Sequence, residues 1–203
     1  MDKRIKFLND IIKPWHELND LLSKPYAYEP GLNDATRMAG NLAITIKHQC
    51  DHEKAERQKI DNESASNRIM SDVADMIKHH ELGDKKRENG LSLSSMFECS
   101  GDRFKFLRTR ITVKYTNGNE FDFVVEAINA MNFWANRNGW ALPKQLEIKF
   151  CEEGFKNKAV LSYESSKSIY MQSVQINFFQ RNATGVLEPH DPENLAIELQ
   201  KII

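Results

Sequence analysis

The hydrophobic period of this chain changes once, near residue 100, and no other feature limits the possible folds as strongly. Before that point apolar residues recur at three- and four-residue steps, as in Ile5, Leu8, Ile11, Ile12, Trp15, Leu18, Leu21 and Leu22. After it they alternate: Leu107, Thr109, Ile111, Val113 and Tyr115 are separated by Arg108, Arg110, Thr112 and Lys114. The first pattern buries one stripe of a helix and the second buries one face of a strand, and neither suits the other structure. An α+β class is expected, with an N-terminal antiparallel helical half packed on a small, mostly antiparallel β-sheet and two further helices. Residues 1–100 form the helical region and 101–203 the hairpin-containing region, as two parts or as one continuous domain.

Within the helical half, Pro14 lacks an amide hydrogen and kinks or splits the first helix, which Pro25 and the Pro30-Gly31 pair then end. Asn33 or Asp34 can cap the next helix, whose buried stripe is Ala35, Met38, Ala39, Leu42, Ile46 and Cys50. The small residues Ala35, Ala39, Gly40 and Ala43 admit close approach of a second helix. From Asp51 to Asn67 apolar residues almost vanish, which reads as a solvated extension or a connection. Ser64 or Ser66 opens a helix reaching about Leu82, followed by a charged loop from Gly83 to Gly90.

In the second half, Thr116-Asn117-Gly118 turns one strand into the next, Asn119 to Val125. A two-residue loop would set Lys114 opposite Phe121 and mix the faces. A three-residue loop ending in a glycine bulge pairs Val113 with Phe121, Ile111 with Phe123, Lys114 with Glu120 and Arg108 with Glu126, and is preferred. A helix is expected over about 127–138, with Trp134 inward and Gly139 as its stop. Leu146–Phe150, Ala159–Tyr163 and Ile169–Phe179 read as strands, and Asp191-Pro192-Glu193 opens a C-terminal helix burying Leu195, Leu199 and Ile202.

Acidic and basic residues nearly cancel, leaving a formal charge of −1, which disfavours a protein built wholly around a nucleic-acid backbone but permits a local basic face. No apolar run approaches the roughly 20 residues of a membrane span, and the N-terminus does not read as a secretory signal. Three widely spaced cysteines argue against a disulfide scaffold and for the reducing cytoplasm. Phosphate-binding, dinucleotide-binding and serine-hydrolase glycine motifs do not occur, and no cofactor is called for.

The chemistry concentrates in Arg68-Ile-Met-Ser-Asp72-Val-Ala-Asp75-Met-Ile-Lys78-His79-His80. On a helix, Arg68, Asp72, Asp75 and His79 share one stripe. Three readings stand. In the first, His79 or His80 is an acid–base group beside Asp75, with Arg68 or Lys78 holding a phosphate. In the second, His48, His52, Asp72 and His79 surround a metal ion. In the third, the pairs Arg68–Asp72 and Asp75–His79, with cations at the helix C-terminus, only stabilise the helix. A second surface is Arg103, Lys105, Arg108 and Arg110 with Phe104 and Phe106 interleaved, a pattern that can neutralise phosphates and stack bases but also suits a solvated sheet face.

Two long antiparallel helices, with a polar Asp-x-Ala-Asp-x-x-Lys-His stretch near the end of the second, resemble the HEPN-type helical proteins of prokaryotes over residues 30–82. The resemblance implies a toxin–antitoxin or antiviral defence setting, dimers, and in many members RNA cleavage. The family's ribonuclease signature, an arginine and a histidine separated by a short gap, is not found: ten residues separate Arg68 from His79 and eight separate Arg181 from His190. The expectation is a non-catalytic or weakly catalytic component of a defence or toxin-type module that binds a protein or RNA partner as a homodimer. A metal-independent ribonuclease is the alternative.

Overall fold

A computed structural model describes residues 2–25, 32–79, 89–142, 146–164 and 175–202. It is a mixed α+β structure in which helices α1 (Lys3–Phe7), α2 (Lys13–Leu22), α3 (Leu32–Lys47), α4 (Gln49–His52), α5 (Arg57–Glu63) and α6 (Ala65–His79) precede strands β1 (Asn89–Ser100), β2 (Arg103–Tyr115) and β3 (Glu120–Asp122). Helix α7 (Phe123–Arg137) follows, then β4 (Ala159–Glu164), β5 (Gln175–Arg181), β6 (Leu187–Pro189) and β7 (Ile197–Ile202). One sheet runs β3-β2-β1-β5-β6 and is mostly antiparallel with β1–β5 parallel, while β4 and β7 pair in parallel as a second sheet.

Compactness divides the chain differently from the boundary at residue 100. The first unit takes 1–19, 36–92 and 111–148, and the second takes 20–35, 93–110 and 149–203. The pattern of β2 explains the division. Its even residues Phe104 and Phe106 enter the core of the second unit with Phe97, Cys99 and Leu161, whereas its odd residues Ile111 and Val113 are buried in the first.

In the first unit, Leu8–Ile12 form a π-helical turn between α1 and α2, directly before Pro14. The wider turn carries the Lys13 amide to the Leu8 carbonyl, accommodating a proline whose ring would crowd an α-helical carbonyl. Phe7, Ile11, Trp15 and Leu18 form the buried stripe, while Ile5, expected on it, is half exposed. The stripe residues Ala39 and Ala43 of α3 are fully buried, and a Cβ built on Gly40 would fall 2.4 Å from the Cδ1 of Ile77 on α6, the close approach the small residues implied. The polar stretch after Cys50 folds into α4 and α5 and buries Ile60.

Ser64 starts α6, its Oγ accepting from the Asn67 amide at 3.2 Å. Helix α6 packs on α7, where the Trp134 Nε1 donates to Asn67 Oδ1 at 2.7 Å and the Ser66 hydroxyl to Glu126 at 2.6 Å. The hairpin has the expected register, Val113 opposite Phe121 and Lys114 opposite Glu120. Tyr115 and Asn119 bracket a three-residue loop in which Gly118 takes a φ of +88°, a conformation glycine adopts without Cβ strain. The expected pairs Ile111–Phe123 and Arg108–Glu126 are corrected. Asp122 accepts from the amides of Val124 and Val125 and so caps α7, which therefore begins at Phe123. Gly139, at φ +66°, ends it.

Other expectations change. Asn33 and Asp34 lie inside the first turn of α3 and do not precede it. Strand β1 occupies the end of the region read as helical. Residues 146–150 carry no regular structure. The C-terminal helix expected from Asp191 is absent: residues 197–202 form β7, in register with β4. In the second unit, Arg181 forks across Glu98, Nε to Oε1 at 2.8 Å and Nη2 to Oε2 at 3.3 Å, tying β5 to β1. The loop 83–88, His80, Tyr170 and Val174 fall outside the described residues. Among the described residues no helix is long and apolar enough to cross a membrane.

Candidate functional site

Helix α6 organises the polar part of the first unit, and its cluster residues divide between two faces. Asp72 is 2 % exposed and accepts a hydrogen bond from the Tyr115 hydroxyl at 3.0 Å. Asp75, one turn later, forms an ion pair with Lys47 at the end of α3, whose ammonium is buried. A buried cation needs a close anion to offset its lost hydration. The Asp75 carboxylate supplies that anion for Lys47.

Lys78 reaches the Nε2 of His48 at 3.2 Å, and the His48 Nδ1 lies 2.7 Å from Asp51. His48 thus has an ammonium at Nε2 and a carboxylate at Nδ1. The hydrogen bond from His48 pushes the Asp51 carboxyl below its ordinary range, with the charges of His48, Arg57 and His52 acting in the same sense. Both nitrogens of His48 are thus engaged.

Of the metal set His48, His52, Asp72 and His79, the first three have described side chains. His48 lies between α3 and α4, the His52 amide donates to the His48 carbonyl at 3.2 Å, and Asp72 accepts from Tyr115. Among the described residues no three His, Cys, Asp or Glu side chains converge on one point. His79 ends α6, but its side chain and all of His80 lie outside the described residues.

A cleft of about 250 Å3 opens between the first half of α6 and the β2–β3 turn. Arg68 and Asp72 line it from the helix, Tyr115 and Phe121 from the strands, and Asn117 and Asn119 from the turn. The rings of Tyr115 and Phe121 meet edge to face with centroids 5.9 Å apart. Arg68 is exposed, and the Asn117 side-chain Oδ1 caps the turn by accepting from the Asn119 backbone amide at 3.0 Å. The cleft presents a guanidinium, a carboxylate, side-chain amides and a phenol beside the apolar Ile69 and Phe121.

The basic strand surface is divided between buried and exposed residues. Phe104, Phe106 and Arg108 are at most 5 % exposed, and the Arg108 Nε donates to the Thr109 carbonyl at 3.2 Å. Arg103 is exposed over the Phe155 ring, and Lys105 is half-buried. Arg110 lines an open groove of the second unit with His190 and Asp191. The buried thiols of Cys50 and Cys99 are pushed above their ordinary pKa by desolvation, the opposite of an activated nucleophile.

Sequence reasoning missed Lys47, Asp51 and the turn residues of the cleft. Lys47 carried a signal: it stands four after Ala43 and three before Cys50, so it is a charge on a buried stripe. Tyr115 and Asn119 carried none, because their meeting with α6 is tertiary. No protein-family model, curated protein or solved structure matches this chain.

Proposed function

We propose that this protein acts by binding and not by catalysis, as a component of a prokaryotic defence or toxin-type module that engages a protein partner through the cleft of Arg68, Asp72, Tyr115, Asn117, Asn119 and Phe121. One observation carries the reading: three polar side chains of α6 are engaged with side chains of other parts of the first unit. Asp75 holds Lys47, Lys78 holds His48, and Asp72 holds Tyr115.

The cleft's volume falls just below that of pockets for small organic ligands and suits one or two side chains of a partner. Burial of Phe104, Phe106 and Arg108 removes the stacking surface an RNA strand would use, which favours protein over RNA. The helical resemblance supports the defence or toxin-type setting. A photo-crosslinking residue placed at Asn117 tests the reading in cells that carry the chain. One discrete protein adduct is expected, lost on Arg68→Glu and absent when the probe replaces exposed Lys59. Adducts to RNA, or protein adducts indifferent to Arg68, count against it.

A further inference from the structure

Arg68 stands one turn before Asp72 on α6, the spacing of an exposed helix ion pair, yet the two side chains are used differently. The Asp72 carboxylate is 2 % exposed and accepts from the Tyr115 hydroxyl at 3.0 Å. The Arg68 guanidinium lines the cleft, and among the described residues no hydrogen bond or ion pair reaches it. On the hairpin, Glu120 pairs with Lys114 at 3.0 Å. Asn117 Oδ1 already accepts from the Asn119 backbone amide, which leaves its NH2 group, exposed at the turn, to donate to a guest. Of the residues that line the cleft, Arg68 is the cation, with half-buried Phe121 as the neighbouring apolar surface.

We infer that the protein partner seated in this cleft presents an aspartate or glutamate side chain flanked by an apolar one. The carboxylate takes two parallel hydrogen bonds from the Arg68 guanidinium, whose planar fork matches it, and the apolar side chain packs on Phe121. Two such side chains suit a space of about 250 Å3. A nucleic-acid strand is tracked by a row of cations and stacking rings, and a lining with one guanidinium and one carboxylate supplies no such row. This chemistry rests on the proposed protein-binding role of the cleft and specifies what the partner brings to it.

Display selection of random linear peptides against the full chain tests it. The wild type enriches peptides that carry Asp or Glu next to Phe, Leu, Ile or Val. Ala65→Trp, which fills the cleft from the exposed first residue of α6, binds none of them. For a synthetic copy of an enriched peptide, Arg68→Gln raises the dissociation constant ~10-fold, and so does replacing the peptide's acid by its amide. The two losses are not additive, because they break the same contact. Arg68→Glu enriches Lys or Arg at the acid's position. The Arg68 variants keep the wild-type circular dichroism spectrum and melting temperature, since the side chain is exposed and has no partner to lose. Enriched peptides that lack an acid but are still lost in Ala65→Trp overturn the acidic chemistry and leave the cleft a protein site. No enrichment, peptides indifferent to Ala65→Trp, or poly(U) RNA bound in an Arg68-dependent way overturn both.

Discussion

Lys47 at the end of α3 and Asp75 in the last turns of α6 form an ion pair whose cationic side chain is 6 % exposed and whose carboxylate is 30 % exposed. Read as a sequence, Asp75 belongs with His79 on an exposed stripe. In the fold it compensates a buried ammonium on another helix. Asp75→Ala leaves that ammonium desolvated and is expected to cost about 2–3 kcal/mol, the cost of breaking a buried pair discounted for the carboxylate's partial exposure. Lys47→Met added to Asp75→Ala should recover most of the loss in urea denaturation. Equal stability of Asp75→Ala and the wild type would contradict the pairing.

Tyr115→Phe removes the hydroxyl that donates to the buried Asp72 and leaves the ring in place. The largely buried carboxylate loses a donor, so a destabilisation of about 1–3 kcal/mol is expected. Tyr115→Phe should also weaken any partner held in the cleft, because the phenol lines it.

The hydrogen bond from His48 lowers the Asp51 carboxyl pKa in the folded state. A folded pKa below the unfolded one means stability contributed above the ordinary carboxylate value of about 3.9 and lost as pH falls through the lower folded value. Carbon-detected NMR titration should find Asp51 titrating below an ordinary aspartate, and moving back up in His48→Ala. Its effect on unfolding is confined to that acid window and small, since the pair is solvent-exposed.

Gly40→Ala sets a methyl against Ile77 Cδ1, the far end of a side chain that is 39 % exposed and free to rotate away. Helix propensity favours alanine by about 1 kcal/mol, so Gly40→Ala is expected to be neutral or slightly stabilising. Gly40→Leu also meets the other Ile77 carbons, 3.5 Å from the same point, and should cost about 1–3 kcal/mol. A thermal denaturation series over glycine, alanine and leucine reads both signs.

The hairpin was legible because its information is local. Asn117-Gly118 fixed the turn, and the apolar face and the Lys114–Glu120 pair fixed the register. The run Phe123-Val124-Val125 reads as strand by residue type, but the Asp122 cap and packing on α6 draw it into α7. At the C-terminus, Leu195 and Leu199 fit a helical stripe while Leu195, Ile197 and Leu199 fit strand alternation, and periodicity cannot choose between them. Pairing with β4 does. The candidate cluster on α6 was legible as a location, with Arg68 and Asp72 in the cleft. Its bonding was not, since Lys47 and Tyr115 arrive from distant parts of the chain.

The central claim is that the polar groups of α6 serve structure and binding and not RNA chemistry. Incubation of purified protein with total RNA, with and without a chelator and beside a His79→Ala, His80→Ala double variant, tests it most directly. Intact RNA in every reaction is the expected result. Cleavage that survives the chelator and disappears in the double variant would contradict it.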